Sequence, residues 1–216
     1  MAFNLTNTTL KEAVISYTKR SDKDFVDNIP LFKAMAERRI AIDLKITGLQ
    51  VSVQGPPNLV PGYPIISKPT RWRADASFNI GIGATFQRKK VLYHRTYEFC
   101  RSYWPDETKV GEPKYYCSTY NYDSYFFVPT PELAYPYEAL FWETPQLLDD
   151  VAQVNFLSTG IPRLLLLGTL LETAPFLQDD PRLPMWEQEY QSEKASVAAE
   201  ETLRTLGVVA PQSGGV

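Results

Sequence analysis

Ile161 to Leu177 reads IPRLLLLGTLLETAPFL, and what covers this stretch decides the fold. Pro162 suits the first turn of a helix, where its missing amide would be unpaired in any case, and Thr159 is placed to cap that start. The leucines at 164, 165, 166, 167, 170 and 171 leave almost no polar face. A helix that is apolar nearly all round must be covered by other helices or by a neighbouring subunit. Pro175 is expected to kink it near its end.

Helical partners are predicted on both sides. Toward the C-terminus, Asp180 caps a last helix with Pro181 and Pro184 early in it, running to about Leu206, and Gly207 is placed to stop it. Residues 207–216 then have the composition of a flexible arm. Toward the N-terminus, Thr9 and Glu12 form a capping-box pattern that predicts a helix over Leu10 to Lys19, with Leu10, Ala13, Val14 and Tyr17 on one face. A second helix is predicted from Asn28, with Pro30 in its first turn, ending near Gly48. Phe32, Met35, Ala36, Ile40 and Leu44 repeat at spacings of three and four, and Glu37, Arg38, Arg39 and Asp43 fall mostly on the opposite side.

Between these helical ends the character changes. Eleven of the seventeen prolines lie from Pro56 to Pro145, which excludes long helices there. Alternation predicts strands over Leu49–Gln54, Arg71–Asn79, Lys114–Tyr120, Ser124–Val128 and Tyr137–Glu143, and Asn121–Asp123 supplies the turn of a hairpin. Leu92–Trp104 fits either a strand or a helix, and a short helix is preferred. The fold class expected is therefore α+β. Residues 1–48 and 145–206 form a helical bundle, 49–144 a β-rich inserted region, and 207–216 an extended C-terminal tail.

Across 216 residues, 44% hydrophobic and 22% charged content is that of a folded protein. A net charge of -3 and an isoelectric point near 5.3 argue against a dedicated nucleic-acid binder. The charge is uneven, with eight basic residues against two acids from Lys68 to Arg101, and a mainly acidic run from Glu172 to Arg204. Two separately solvated surfaces, or complementary faces meeting across subunits, both fit this pattern. Two cysteines and one histidine are too few for a one-chain structural zinc site, so two free thiols and no cofactor are expected. The N-terminus lacks a signal-peptide pattern, and the longest apolar run falls far short of the ~20 residues that span a bilayer. A soluble protein made in a reducing cytoplasm, with no membrane partner, is expected.

The residues that bear chemistry are few. His94, in YHRTY, has no recognisable nucleophile motif beside it. The pairs Asp149-Asp150 and Asp179-Asp180 lie beside predicted helix starts, where carboxylates meet free amides. Gly81-Ile82-Gly83 is half a dinucleotide fingerprint, without the third glycine or a following helix. Arg71, Trp72 and Arg73 with Arg88, Lys89 and Lys90 interleave basic and aromatic residues. This pattern fits a nonspecific DNA-channel or partner surface, and equally exposed strand charges that suppress edge pairing.

Four stretches resemble the head-to-tail adaptor (connector) proteins of short-tailed bacteriophages: NIPLFKAMAERRIAIDL from Asn28, RTYEFCRSYWPD from Arg95 leading into GEPKYYC, PTPELAYPYEALFWETP from Pro129, and LLLLGTLLETAPFLQDDPRLPMWEQEYQ from Leu164. The last is the most specific, and Val51 to Gly83 has no counterpart in the pattern. The resemblance implies a structural virion protein with no enzymatic activity. It implies a twelve-fold homo-oligomeric ring assembled in the host cytoplasm under the portal protein, extending the DNA channel and offering a platform to the tail nozzle, or hub, and to fibres. It further implies a C-terminal arm docked on the portal, for which Leu203, Leu206, Val208 and Val209 are the candidate contacts. Leu164, Leu165, Leu167, Leu170, Leu171, Trp186 and Tyr190 are the candidate subunit interface. Two alternatives remain open: a tail-fibre-attachment or other binding module using the aromatic middle, and a virion-associated hydrolase using carboxylates such as Glu138, Glu143 or Asp149.

Overall fold

A computed structural model describes residues 5–55, 58–82, 88–177 and 180–209, the side chains of Ile82, Thr119 and 206–209 excepted. The chain is a mixed α+β protein with helices toward both ends and a β-rich middle. It divides into two compact units, Met1–Leu49 with Thr144–Val216, and Gln50–Glu143.

The first unit holds α1 (Asn7–Thr18), α2 (Lys23–Asp43), a 3-10 turn over Thr47–Leu49, α4 (Phe156–Gly160), α5 (Pro162–Glu172), α6 (Ala174–Leu177) and α7 (Leu183–Val209). The leucine-rich helix α5 lies against α1, α2, α4, α6 and α7, which is why it needs no polar face. Leu164, Leu165, Leu166, Leu167 and Leu170 are all buried, at roughly 1.5–3 kcal/mol of burial free energy per side chain. Across from them lie Phe25, Ile29, Phe32, Ala36 and Ile40 of α2, and Trp186 and Tyr190 of α7. The Phe25, Phe32 and Phe176 rings close one end, with centroids 5.2 to 6.1 Å apart.

Several helix boundaries differ from the expected ones, each for a local reason. The N-cap of α1 is Thr6, whose hydroxyl accepts from the Thr9 amide at 3.1 Å while Thr9 returns the bond to the Thr6 amide; Thr9 closes the capping box where it was expected to open one. Tyr17 is exposed. Helix α2 begins five residues before Asn28, at Lys23, capped by Asp22 through the Phe25 amide at 3.2 Å, and Pro30 lies inside it. An interior proline costs ~3 kcal/mol, but burying Phe25 and Ile29 in the turns before it returns as much. The helix ends at Asp43, before the buried Leu44. Thr159 lies within α4, which Asn155 caps, and α5 starts with no side-chain cap. Pro175 belongs to α6, so a break at Thr173 replaces the expected kink. Asp180 precedes α7 and accepts from the Arg182 amide at 2.9 Å. Helix α7 continues through Gly207 to Val209, because a glycine ends a helix only where it turns into a left-handed cap. Residues 210–216, the rest of the expected arm, lie outside the described residues.

The second unit contains β1 (Gln50–Gln54), β2 (Ile65–Ser67), β3 (Trp72–Ile82), β4 (Arg88–His94), α3 (Tyr97–Tyr103), β5 (Val110–Gly111), β6 (Tyr115–Asn121), β7 (Ser124–Val128), β8 (Thr130–Pro131) and β9 (Tyr137–Glu143). Seven strands form one sheet in the order β1-β9-β3-β4-β6-β7-β2, antiparallel except between β4 and β6. Register fixes the faces: Phe78 sits opposite Leu92 and Ala139, all buried, and the next residue, Asn79, sits opposite Val91 and Glu138. The Phe78 ring meets Tyr116, Tyr125, Phe127 and Tyr137 at 5.1 to 5.4 Å, so rings from four strands share one core and the sheet must curl. The ambiguous Leu92–Trp104 segment divides, its start completing β4 and its end forming α3. That helix packs on β6 and β7 around the free thiols Cys100 and Cys117 with Phe126 and Val128.

Candidate interaction surfaces

The residues expected at a subunit interface are placed in the chain's own interior. Leu164, Leu165, Leu167, Leu170, Trp186 and Tyr190 are buried within the first unit, and Leu171 is half-buried. The correction follows from coverage: five helices of the same chain surround α5, and the six buried side chains keep no surface for another copy. Of the residues expected on the portal, Leu203 is exposed on α7. Leu206, Val208 and Val209 lie on the same helix, and their side chains are outside the described residues.

The basic run of the β-rich unit is largely neutralised. Arg71 pairs with Glu143 at 3.0 Å, Lys89 with Glu138 at 2.8 Å, and Lys90 with Glu112. Arg73 is half-buried, Arg88 is exposed at the start of β4, and the open cationic stripe that a phosphate backbone needs is not formed by these residues. The same pairs account for two acids considered for hydrolysis. Lys89 holds the Glu138 carboxyl below its usual range, the wrong direction for a general acid. Asp149 accepts from the amides of Val151 and Ala152 at 2.8 and 2.6 Å, which lowers it as well. It closes a loop turn, whereas a helix start was expected. Asp179 lies outside the described residues.

His94 has a partner that sequence spacing did not reveal. Its Nε2 lies 2.9 Å from Ser118 Oγ, because the parallel register sets His94 beside Tyr116, two residues before the serine. The two share a cleft of about 410 Å³ with Trp72, Arg73, Asp75 and Tyr116. A serine nucleophile needs a base that is itself oriented by a third group. Asp75 Oδ1 is engaged elsewhere, accepting from Trp72 Nε1 at 2.8 Å and from the Tyr125 hydroxyl at 2.9 Å. Among the described residues, no acid is hydrogen-bonded to the second nitrogen of His94. No group of acids, cysteines and histidines among the described residues can hold a metal ion, and no described helix is long and apolar enough to cross a membrane.

No protein-family model and no curated protein matches this sequence. The surfaces therefore carry the functional reading, and two were missed in the sequence. On α2, Leu31, Met35 and Ile42 are exposed, in line with the exposed Arg38, although Met35 was expected in the core. The signal was present in the spacings of four, three and four from Leu31 through Met35 and Arg38 to Ile42, but the stronger stripe at Phe32, Ala36 and Ile40 concealed it. On the β-rich unit, Tyr93, Phe99 and Tyr103 are exposed around Tyr115, and the Arg95 guanidinium lies over Phe99 and Tyr115 at 5.6 and 5.7 Å.

Proposed function

We propose that this chain is a structural subunit of a virus particle, the head-to-tail adaptor of a short-tailed bacteriophage, working as one copy in a twelve-fold ring under the portal. The observation that carries the reading is where its four family-like stretches fall. The stretch from Asn28 supplies α2, and the stretch from Leu164 supplies α5 and the start of α7, which pack on one another. The other two supply α3, the start of β6, and β9. The likeness therefore follows the packed framework of the fold. In this reading, both chain ends build a helical bundle that carries the β-rich region as an insertion. The distal end of α7, with Leu206, Val208 and Val209, reaches the portal, and the assembly is completed in the host cytoplasm as the neck of the virion.

A second function, holding a tail nozzle or fibre, is favoured by the exposed aromatic and arginine cluster around Arg95, since aromatics and arginine dominate the centres of protein interfaces. DNA contact is limited to nonspecific passage through the ring. The test is mass photometry of the purified chain mixed with its portal. A gain in mass matching a ring of copies is expected, and portal with no added mass overturns the adaptor reading.

A further inference from the structure

We propose that the exposed stripe of α2 is the seat for the exposed stripe of α7 from a second copy of this chain, laid parallel to it. The inference rests on the ring reading and names the surfaces that would close the ring. On α2 the line is Leu31, Met35, Arg38 and Ile42, with Leu31 54%, Met35 46% and Ile42 68% exposed. It lies roughly opposite the buried face formed by Phe25, Ile29, Phe32, Ala36 and Ile40. On α7 the line is Ser192, Ser196, Ala199 and Leu203, all exposed, with Leu203 at 70%. It lies opposite the buried Trp186 and Tyr190.

Both lines step by four, three and four residues, so each runs ~16 Å along its helix and the two match position for position. Their shapes are complementary as well. The α2 line carries three large side chains, whereas the α7 line carries three small ones before Leu203, so a ridge faces a shallow groove, as close helix packing requires. In the parallel lay, Leu31 meets Ser192, Met35 meets Ser196, and Ile42 meets Leu203, the most exposed large apolar side chain of each line.

Charge selects the same occupant. Arg38 has no carboxylate within salt-bridge distance among the described residues, while its neighbour Arg39 pairs with Glu172 at 3.2 Å. Both arginines line a groove of about 390 Å³ with Met35, Ile42, Asp43 and Glu172. Helix α7 carries five acids against two bases, Lys194 and Arg204, and Glu200, exposed and paired only along its own helix surface with Arg204, adjoins Ala199, opposite Arg38 in the parallel lay, where a second arginine can share its carboxylate. A parallel α2-on-α2 pairing would set the two protruding lines and their arginines against each other, which costs affinity, and an antiparallel one would still set ridge against ridge. A contact between two different patches is heterologous, the type that builds a ring when its rotation closes and an open filament when it does not. Helix α7 is held to its own chain by residues off this line, Lys194 on Asp43 at 3.0 Å and Glu201 on the Thr47 amide at 2.9 Å, so the line itself stays exposed to a second copy.

The experiment uses the full chain, alone and assembled on portal, carrying Ile42→Cys with Leu203→Cys. Cys100 and Cys117 are buried, so a short bismaleimide reads the new thiols on a denaturing gel. A ladder of dimer, trimer and higher species is expected from the double variant and from neither single variant. Arg38→Glu should cut the ladder at least tenfold, and adding Glu200→Arg should restore it. Dimer alone from Ile42→Cys means α2-on-α2 pairing and overturns the proposal; a stronger ladder from Leu31→Cys with Leu203→Cys overturns the parallel lay. Portal-bound rings with no ladder sink this contact and spare the adaptor reading, whereas a ladder with no portal-bound mass does the reverse.

Discussion

Replacing Glu37 by alanine should be among the most damaging single changes in the helical unit. Amphipathic spacing puts this residue on the polar side of α2, yet its exposure is 0%. Its carboxylate accepts from the Leu148 amide, 3.2 Å from each oxygen, and from Asn155 Nδ2. It thereby fastens the segment before α4 to α2. Nearby, the buried Lys33 ammonium donates to Asn7 Oδ1, and Asn7 donates to Asp150 at 3.3 Å. Alanine would strand the buried Leu148 amide and take one of two acceptors from the half-buried Asn155 amide, which keeps its bond to the Gln146 carbonyl at 2.8 Å, at ~1–3 kcal/mol for each loss, about 3–4 kcal/mol in all. At 2–4 °C per kcal/mol for a chain of this size, the melting temperature should fall by about 10 °C. Glu37→Gln keeps one accepting oxygen and should cost about 1 kcal/mol. Burial raises the Glu37 carboxyl above its ordinary 4.5, so between 4.5 and that higher value the native state binds more protons than the unfolded one. Its contribution to stability is therefore greatest below 4.5 and declines as pH rises through the window. Thermal melts of the wild type and both variants, and urea titrations of all three across that pH range, followed by circular dichroism, measure all of this. A loss under 1 kcal/mol for Glu37→Ala, an equal loss for Glu37→Gln, or an unchanged pH slope in the glutamine variant would refute the reasoning.

Two glycines should respond in opposite directions. A Cβ at Gly168 would meet Tyr190, Ala36 and Ile40 at 3.4 to 3.5 Å, ordinary contact, so Gly168→Ala should stabilise α5 by up to ~1 kcal/mol. A Cβ at Gly48 would fall inside the Phe156 ring, and Gly48→Ala should cost ~1–3 kcal/mol; thermal melts decide both. The buried Tyr190 hydroxyl has no hydrogen-bond partner among the described residues, so Tyr190→Phe should be neutral or stabilising by up to ~1 kcal/mol in urea titration, and a clear loss would point to a hidden partner. His94→Ala and Ser118→Ala should leave assembly on portal and infectivity unchanged; normal particles that have lost infectivity would expose a chemical role for the pair.

Much of the architecture was legible because it rests on local physics. Helices at both ends and strands between them follow from the spacing of apolar residues and the placing of prolines, and the Tyr115–Asn121 and Ser124–Val128 hairpin follows from its Asn-Tyr-Asp turn. Caps were less legible. Thr6 and Thr9 are both competent N-caps, and docking of the Leu5 amide on Ser158 and the Asn7 amide on Gln153, long-range bonds with no local signature, fixes the start at Thr6. The candidate surfaces suffered most from the same limit.

The sequence by itself determined that the leucines of α5 must be covered, since a helix apolar on every side has no stable exposed state in water. Only the tertiary structure decided what covers them: α1, α2, α4, α6 and α7 of the same chain, which turned an expected interface into a core. It also paired Arg71, Lys89 and Lys90 with acids distant in sequence, buried Glu37 beneath the Leu148 amide, and left Met35 and Ile42 outside. Periodicity fixes how an apolar face is spaced along one element. Which neighbour that face meets is set by contacts between elements elsewhere in the chain, from the adjoining α7 to α2 more than a hundred positions away, on which local spacing is silent.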